Sequence, residues 1–145
     1  SKTPRKPLPH YEVVAAIIRR GEMVLIDKRR SGGLLGGMWE FPGGKVEEGE
    51  GLEEAIVREI QEELDLIIKA GKKINAYKHA YTHFKITLHA FYCSLDDHNQ
   101  PTALQHSQIL WVTPPQLADF PMGKVDRQIA SRLMEMDNER RNTSD

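Results

Sequence analysis

From Val13 to Ile18 the chain runs Val-Val-Ala-Ala-Ile-Ile with no polar interruption. The run is short and rich in β-branched residues, so Tyr11 to Ile18 predicts a buried strand. Arg19-Arg20-Gly21-Glu22 reads as a turn and Met23 to Asp27 as a second strand, together a hairpin. Ser31 to Gly37 carries four glycines in seven residues. It predicts a loop on the substrate side rather than a phosphate cradle, because the Walker spacing with its Lys-Ser/Thr is absent. Met38 to Phe41 predicts a short strand closed by Pro42-Gly43-Gly44. Glu50 to Leu64 has no proline, one early glycine at Gly51 and many helix formers, and predicts a helix.

Further along, Ile67 to Tyr81 reads as β structure with a turn at Ala70-Gly71-Lys72, and Lys85 to Ser94 alternates as a half-buried strand does. Asp96 to Gln108 is a polar connection, Ile109 to Val112 a last strand, and Pro114-Pro115 a turn or short helix. A second helix starts at Met122 or Lys124 and runs to Asp137, with Ile129, Leu133 and Met136 on one face. Glu139 to Asp145 is a polar, frayed tail. Strands interleaved with two separated helices predict an α/β or α+β fold, a mixed sheet with helices on both faces.

The 145 residues suit one domain. Residues 1–10, with three prolines and three basic side chains, read as an extended lead-in or linker, 11–137 as the domain and 138–145 as a tail. The lone Cys93 excludes an intramolecular disulfide and a Cys-built zinc site. The longest apolar run falls far short of the about 20 residues that span a bilayer. The first ten residues lack the apolar core of a secretory signal, so a cytoplasmic location is expected. With 20 Lys+Arg against 21 Asp+Glu, the net charge of -1 argues against a broadly cationic, nucleic-acid-coating surface. The balance hides a polarised arrangement. Acids concentrate between Glu47 and Asp65, and Arg19, Arg20, Lys28, Arg29, Arg30 and Lys45 precede or flank them. Oligomeric state has no signature in the sequence.

Glu59, Glu62 and Glu63 are spaced i, i+3, i+4, so on a helix they share one face. Ile56, Val57, Ile60 and Leu64 fill a neighbouring arc. Such a triplet is either a solvated acidic face, with a repulsive cost of a few tenths of a kcal/mol per pair, or a site for hard divalent cations. Arg58, next to Glu59 and four residues before Glu62, either orients these carboxylates by charge-assisted hydrogen bonds or forms an ordinary surface pair. Glu50 falls at the helix start, where a carboxylate meets free N–H groups.

Gly44, Glu50, Arg58, Glu59, Glu62 and Glu63, with Ile60 and a closing Leu66, resemble the Nudix box. Six fixed identities at roughly 7% each recur by chance in about one window in ten million. The segment Leu35 to Lys45 and the stretch from Trp111 to Pro121 are similar to the MutT-type branch and to the C-terminal domain of MutY-type adenine glycosylases. The box departs at Asp65, where the family has Gly; Asp tolerates the left-handed cap better than most residues.

The resemblance implies a Nudix-type mixed sheet sandwiched between helices. It implies Glu59, Glu62 and Glu63 as metal ligands, with the Gly43 carbonyl as a further one, and magnesium, or manganese, as cofactor. In-line displacement at phosphorus is the implied reaction, with Glu62, Glu59 and Arg58 as catalytic residues. Arg29 and Lys45 are implied phosphate contacts. An acid that MutT-type relatives carry ahead of the last strand is replaced here by Gln105, followed by His106. A neutral amide cannot take a proton as a carboxylate does, so that role would pass elsewhere, His106 being one candidate.

For the base, Asp126 matches the position that reads the purine edge in MutT-type relatives, its alternative being an exposed helix pair with Arg127. Phe84, Tyr81 and Trp39 are candidates to stack on the base, with core packing the alternative for each. The expected activity is pyrophosphohydrolysis of oxidised nucleoside triphosphates such as 8-oxo-dGTP, a nucleotide-pool sanitation step related to DNA repair. CTP-like pyrimidine triphosphates are the alternative substrates. A non-catalytic lesion-recognition domain of an adenine glycosylase is the alternative class, and only then would DNA be a partner. The intact set of box acids favours the enzyme, because repelling glutamates that do no chemistry are easily lost.

Overall fold

The computed structural model describes residues 6–96, 98–105 and 108–143. Its elements are β1 (His10–Arg20), β2 (Met23–Lys28), β3 (Trp39–Glu40), β4 (Gly43–Lys45), α1 (Leu52–Leu64), β5 (Ile68–Ala80), β6 (Lys85–Leu95), β7 (Gln108–Val112) and α2 (Lys124–Thr143). A 3₁₀ segment, Pro114–Asp119, precedes α2.

The strands form a mixed sheet in the order β3-β2-β1-β6-β5, with β7 against β2 and β4 against β1. β1 lies parallel to β6 from His10 opposite Lys85 to Ile18 opposite Cys93. Both faces of β1 are buried, which is why its apolar run is continuous rather than alternating. Ala15 and Ile17 pack with Val125, Ile129 and Leu133 of α2. Val14, Ala16 and Ile18 pack with Ala55, Ile56, Ile60 and Leu64 of α1. The expected helix–sheet–helix layering is present.

The other edge of β1 is divided between two partners. β2 pairs with its end, Arg19 and Arg20, whereas β4 pairs with Val13, Val14 and Ala15. The chain from Trp39 to Lys45 crosses this division: Glu40 pairs with Asp27 of β2, and Gly43 with Ala15 of β1. Gly43 is required at the crossing, because a Cβ there would sit 1.9 Å from the Val14 carbonyl oxygen. The division opens a cleft between α1 on one side and the start of α2 on the other.

Four local expectations change. Ala70-Gly71-Lys72 is not a turn: β5 runs unbroken through it, with register shifts between Ala70 and Lys73 and between Lys73 and Asn75, so the glycine marks a bulge. Gly43-Gly44 is not a mere strand terminator but the core of β4. The tail after Asp137 is helical to Thr143, its first turn anchored by Arg140 and Arg141 on the buried Asp137 carboxylate. β1 starts at His10, inside the expected lead-in. Asp65 caps α1 in the left-handed conformation, φ 50°, and its N–H donates to the Gln61 carbonyl. His106 lies outside the described residues.

Candidate active site

Arg58 is the organising residue of the acidic helix. Its Nε and Nη2 donate to the two carboxylate oxygens of Glu50 at 2.7 and 2.9 Å. Its Nη1 donates to Glu59 at 3.0 Å and to Glu62 at 3.2 Å, and its Nη2 also reaches the Lys45 carbonyl at 3.0 Å. One guanidinium thus ties the loop before α1, the strand β4 and two box acids together. Glu50 is fixed further by the Glu47 N–H, 3.0 Å from its Oε1. The Arg58 fork, joined by that N–H, pushes the Glu50 carboxyl down to about 2. Glu50 precedes the helix rather than capping it; Gly51 is the N-cap and donates its N–H to Glu54.

Glu59 lies on the backbone of β4, where a Cβ on Gly44 would come within 2.4 Å of its carboxyl. That is why a glycine stands at this place in the motif. Glu63 shares a hydrogen bond with Glu59, and burial, then the charges of Glu59 and Glu40, pushes its carboxyl up to about 9. Glu62 is the most solvent-open of the three, its side chain 55% exposed against 14% for Glu59.

Among the described residues no three acidic, histidine or cysteine side chains converge closely enough to grip an ion as they stand. The donor chemistry nevertheless fits a hard cation. Two carboxyls that hydrogen-bond each other must share a proton, and a divalent cation between Glu59 and Glu63 would take that proton's place. Arg58 holds Oε1 of Glu59 at 3.0 Å and so fixes the orientation of that carboxylate.

The cleft beside these acids encloses about 290 Å³. Its lining includes Gly43, Gly44 and Glu63, the charged pair Arg29 and Glu40, and Tyr81, Phe84 and Asp126. Of the residues expected at the substrate, Arg29, Lys45, Phe84 and Asp126 therefore all border one cavity. Arg29 Nη1 donates to Glu40 at 2.7 Å. The Lys45 ammonium sits 4.0 Å from the centre of the Tyr11 ring. Tyr81 and Phe84 lie 4.8 Å apart, their rings tilted by 36°.

Asp126 is not an exposed partner of Arg127. Its Oδ1 accepts the Phe41 N–H at 3.0 Å, while Arg127 donates to the carbonyls of Leu117 and Phe120. Burial, partly offset by the Phe41 N–H, pushes the Asp126 carboxyl up to about 7. Trp39 is a core residue, 7% exposed and edge-on to Phe120, and does not border the cleft. Gln105 is exposed and away from the cleft lining.

Two acids escaped the sequence reading. Glu40 borders the cleft, and Asp27 is completely buried behind it, directly across the strand pair. The available signal was an acid ending the apolar run Val24-Leu25-Ile26, where a buried strand has no solvent for it. A roomier groove of about 530 Å³ near Tyr92, Met136 and Arg140 contains none of the box acids.

A family model described as the NUDIX domain matches residues 13–132. A CTP pyrophosphohydrolase of Escherichia coli (strain K12) is 33% identical over 123 residues, covering 85% of this chain and 90% of that protein. An 8-oxo-dGTP diphosphatase of Proteus vulgaris is 38% identical over 68 residues, 47% of this chain and 61% of that protein. The solution NMR structure of DNA mismatch repair protein MutT (family Nudix hydrolase) from methicillin-resistant Staphylococcus aureus 252 superposes with a TM-score of 0.74 at 31% identity. It covers 90% of this chain and 99% of that one.

Proposed function

Because the chain belongs to the Nudix family of hydrolases, in its MutT-type branch, we propose that it cleaves oxidised nucleoside triphosphates such as 8-oxo-dGTP to the monophosphate and pyrophosphate. The observation that carries this reading is one cleft lined by Glu63 of the box, the Arg29 guanidinium, the Phe84 ring and the Asp126 carboxyl. That combination of groups suits a ligand that carries both a phosphate chain and a base.

Members of this family use divalent metal ions. Here Glu59, Glu62, Glu63 and the Gly43 carbonyl are the groups that would hold them, and magnesium or manganese suits an all-oxygen donor set. Bound there, such an ion neutralises the pyrophosphate and lowers the pKa of the attacking water. Arg58 holds Glu59 and Glu62 in one orientation through the reaction. Arg29 and Lys45 oppose the negative charge of the phosphates. Phe84 stacks on the base while Asp126 accepts an N–H from its edge. Among the described residues no helix is long and apolar enough to cross a membrane.

CTP-like triphosphates are a second reading, favoured by the ionisable Asp126: an acceptor serves the exocyclic amine of cytosine as well as the N–H groups of an oxidised guanine. The test is pyrophosphate release with Mg²⁺ across canonical and oxidised triphosphates. Preferential turnover of 8-oxo-dGTP is expected; preferential turnover of CTP would select the second reading. No turnover of any of them, with tight binding to DNA carrying oxidised guanine, would sink both.

A further inference from the structure

Behind the cleft wall lies a carboxyl that no ligand reaches. Asp27 is 0% exposed, the penultimate residue of β2, and faces Glu40 across the β2–β3 pair. Its carboxyl lies within reach of the Glu40 carboxyl for a hydrogen bond once one of the two is protonated. Glu40 in turn accepts from Arg29 Nη1 at 2.7 Å, its side chain only 12% exposed. Asp27, Arg29 and Glu40 occupy the same face of the sheet as α1, two residues apart on β2 and its extension or directly opposite on β3. The three groups therefore form a line from the core to the cleft.

A hydrogen bond between two carboxyls needs one proton, and the fully buried partner is the one that keeps it. Burial, reinforced by the neighbouring Glu40 charge, pushes Asp27 up to about 10, in accord with that assignment. Asp27 then donates an O–H to Glu40, and Glu40 remains an anion facing Arg29.

An acid placed in a strand core is costly unless it does something there. Arg29 follows β2 and its side chain is 44% exposed. The adjoining Ser31–Gly37 loop contains three residues of positive φ among its glycines and another at Leu35. The guanidinium feels the charge of Asp126 as well, but its side-chain hydrogen bond is the one to Glu40, which sets its direction.

We propose that Asp27 is a positioning residue which, through Glu40, aims the Arg29 guanidinium into the cleft at the phosphates of the substrate. This rests on the reading of the cleft as the triphosphate site. Asp27 touches no substrate; it keeps Glu40 in one rotamer, and Glu40 keeps Arg29 in place.

The experiment compares Asp27→Leu with Asp27→Asn in the full chain, measuring KM, kcat and melting temperature with the best triphosphate and Mg²⁺. Leu keeps the branched outline and removes the donor; Asn retains a neutral N–H donor. The expected result is a KM raised about tenfold or more by Leu, largely restored by Asn, with a smaller change in kcat. In an Arg29→Ala background, Asp27→Leu should raise KM no further. A merely structural acid would lower melting temperature and apparent kcat and leave KM alone, and that outcome overturns the proposal. So does an Asn variant as impaired in KM as Leu. Should Asp27→Leu not fold, Glu40→Gln breaks the same line from its cleft end, and an unchanged KM there is equally decisive. A wild-type chain with no triphosphate turnover would instead defeat the underlying reading of the cleft.

Discussion

Arg58 grips Glu50 with a two-point fork, Nε to Oε2 at 2.7 Å and Nη2 to Oε1 at 2.9 Å. Eight residues separate the pair in sequence, and the fork closes the loop before α1 onto the helix. The same guanidinium orients Glu59 and Glu62. Arg58→Ala should therefore reduce kcat/KM about 10- to 100-fold by releasing groups that orient the acids. Arg58→Lys should recover little, because an ammonium cannot reproduce a planar fork. Steady-state kinetics at saturating Mg²⁺ checks this.

The same fork sets an acid limit on stability. Glu50 is depressed from 4.5 to about 2 in the folded chain. A depressed carboxyl contributes stability above its unfolded pKa and loses it as pH falls through the folded value. The melting temperature should fall between about pH 4.5 and 2, less steeply in Glu50→Gln. Thermal melts across that window, without added metal, read the difference.

Removing acids from the paired wall should stop turnover without unfolding the chain. Glu59→Gln and Glu63→Gln are each expected to lower kcat about 100-fold or more. Glu62→Gln, at the more open position, should cost turnover too and weaken Mg²⁺ binding. Activity against Mg²⁺ concentration, with circular dichroism as the folding control, separates the three. Near-normal activity in all three would mean the carboxylates are misassigned.

Asp126 is the proposed contact to the base. Burial pushes its carboxyl up to about 7, and it faces Glu40 of β3, Arg29 after β2, Tyr81 after β5 and the Phe41 N–H. Above that pH it is a pure acceptor, and below it carries an O–H. Discrimination in favour of bases that present an N–H to it should therefore weaken as pH falls through 7. Asp126→Asn should flatten that dependence and change the ratio of kcat/KM between 8-oxo-dGTP and CTP by about tenfold. The pH profile of this ratio is the measurement.

Two backbone positions should respond in opposite directions. Gly43→Ala drives a methyl into the Val14 carbonyl and is expected to destabilise the fold by about 3 kcal/mol. Asp65→Gly relieves a left-handed backbone at φ 50° and should stabilise it by up to about 1 kcal/mol. Urea unfolding of both variants tests the pair.

The carboxylate helix was legible because a helix converts spacing directly into direction: Glu59, Glu62, Glu63 and Arg58 had to share a side of α1 once it formed. The buried β1 was legible for a similar reason, as a strand covered on both faces shows no alternation. Other features depend on which strand lies beside which. Gly71 reads as a turn until β6 is seen alongside, and then it is a bulge. The polar residues after Asp137 read as a tail until Asp137 is seen to be buried and paired.

Chemistry along one helix and the burial of β1 were thus determined by local order in the chain, since both follow from the repeat of a single element. Tertiary structure alone decided the divided edge of β1, the cleft it opens, and the meeting of Arg29, Glu63, Phe84 and Asp126 around it. It also decided the place of Asp27, because a lone acid at the end of an apolar run acquires a role only when Glu40, thirteen residues later, pairs across from it. Cross-strand contact has no fixed spacing in sequence, so such pairings become visible only after the sheet is assembled.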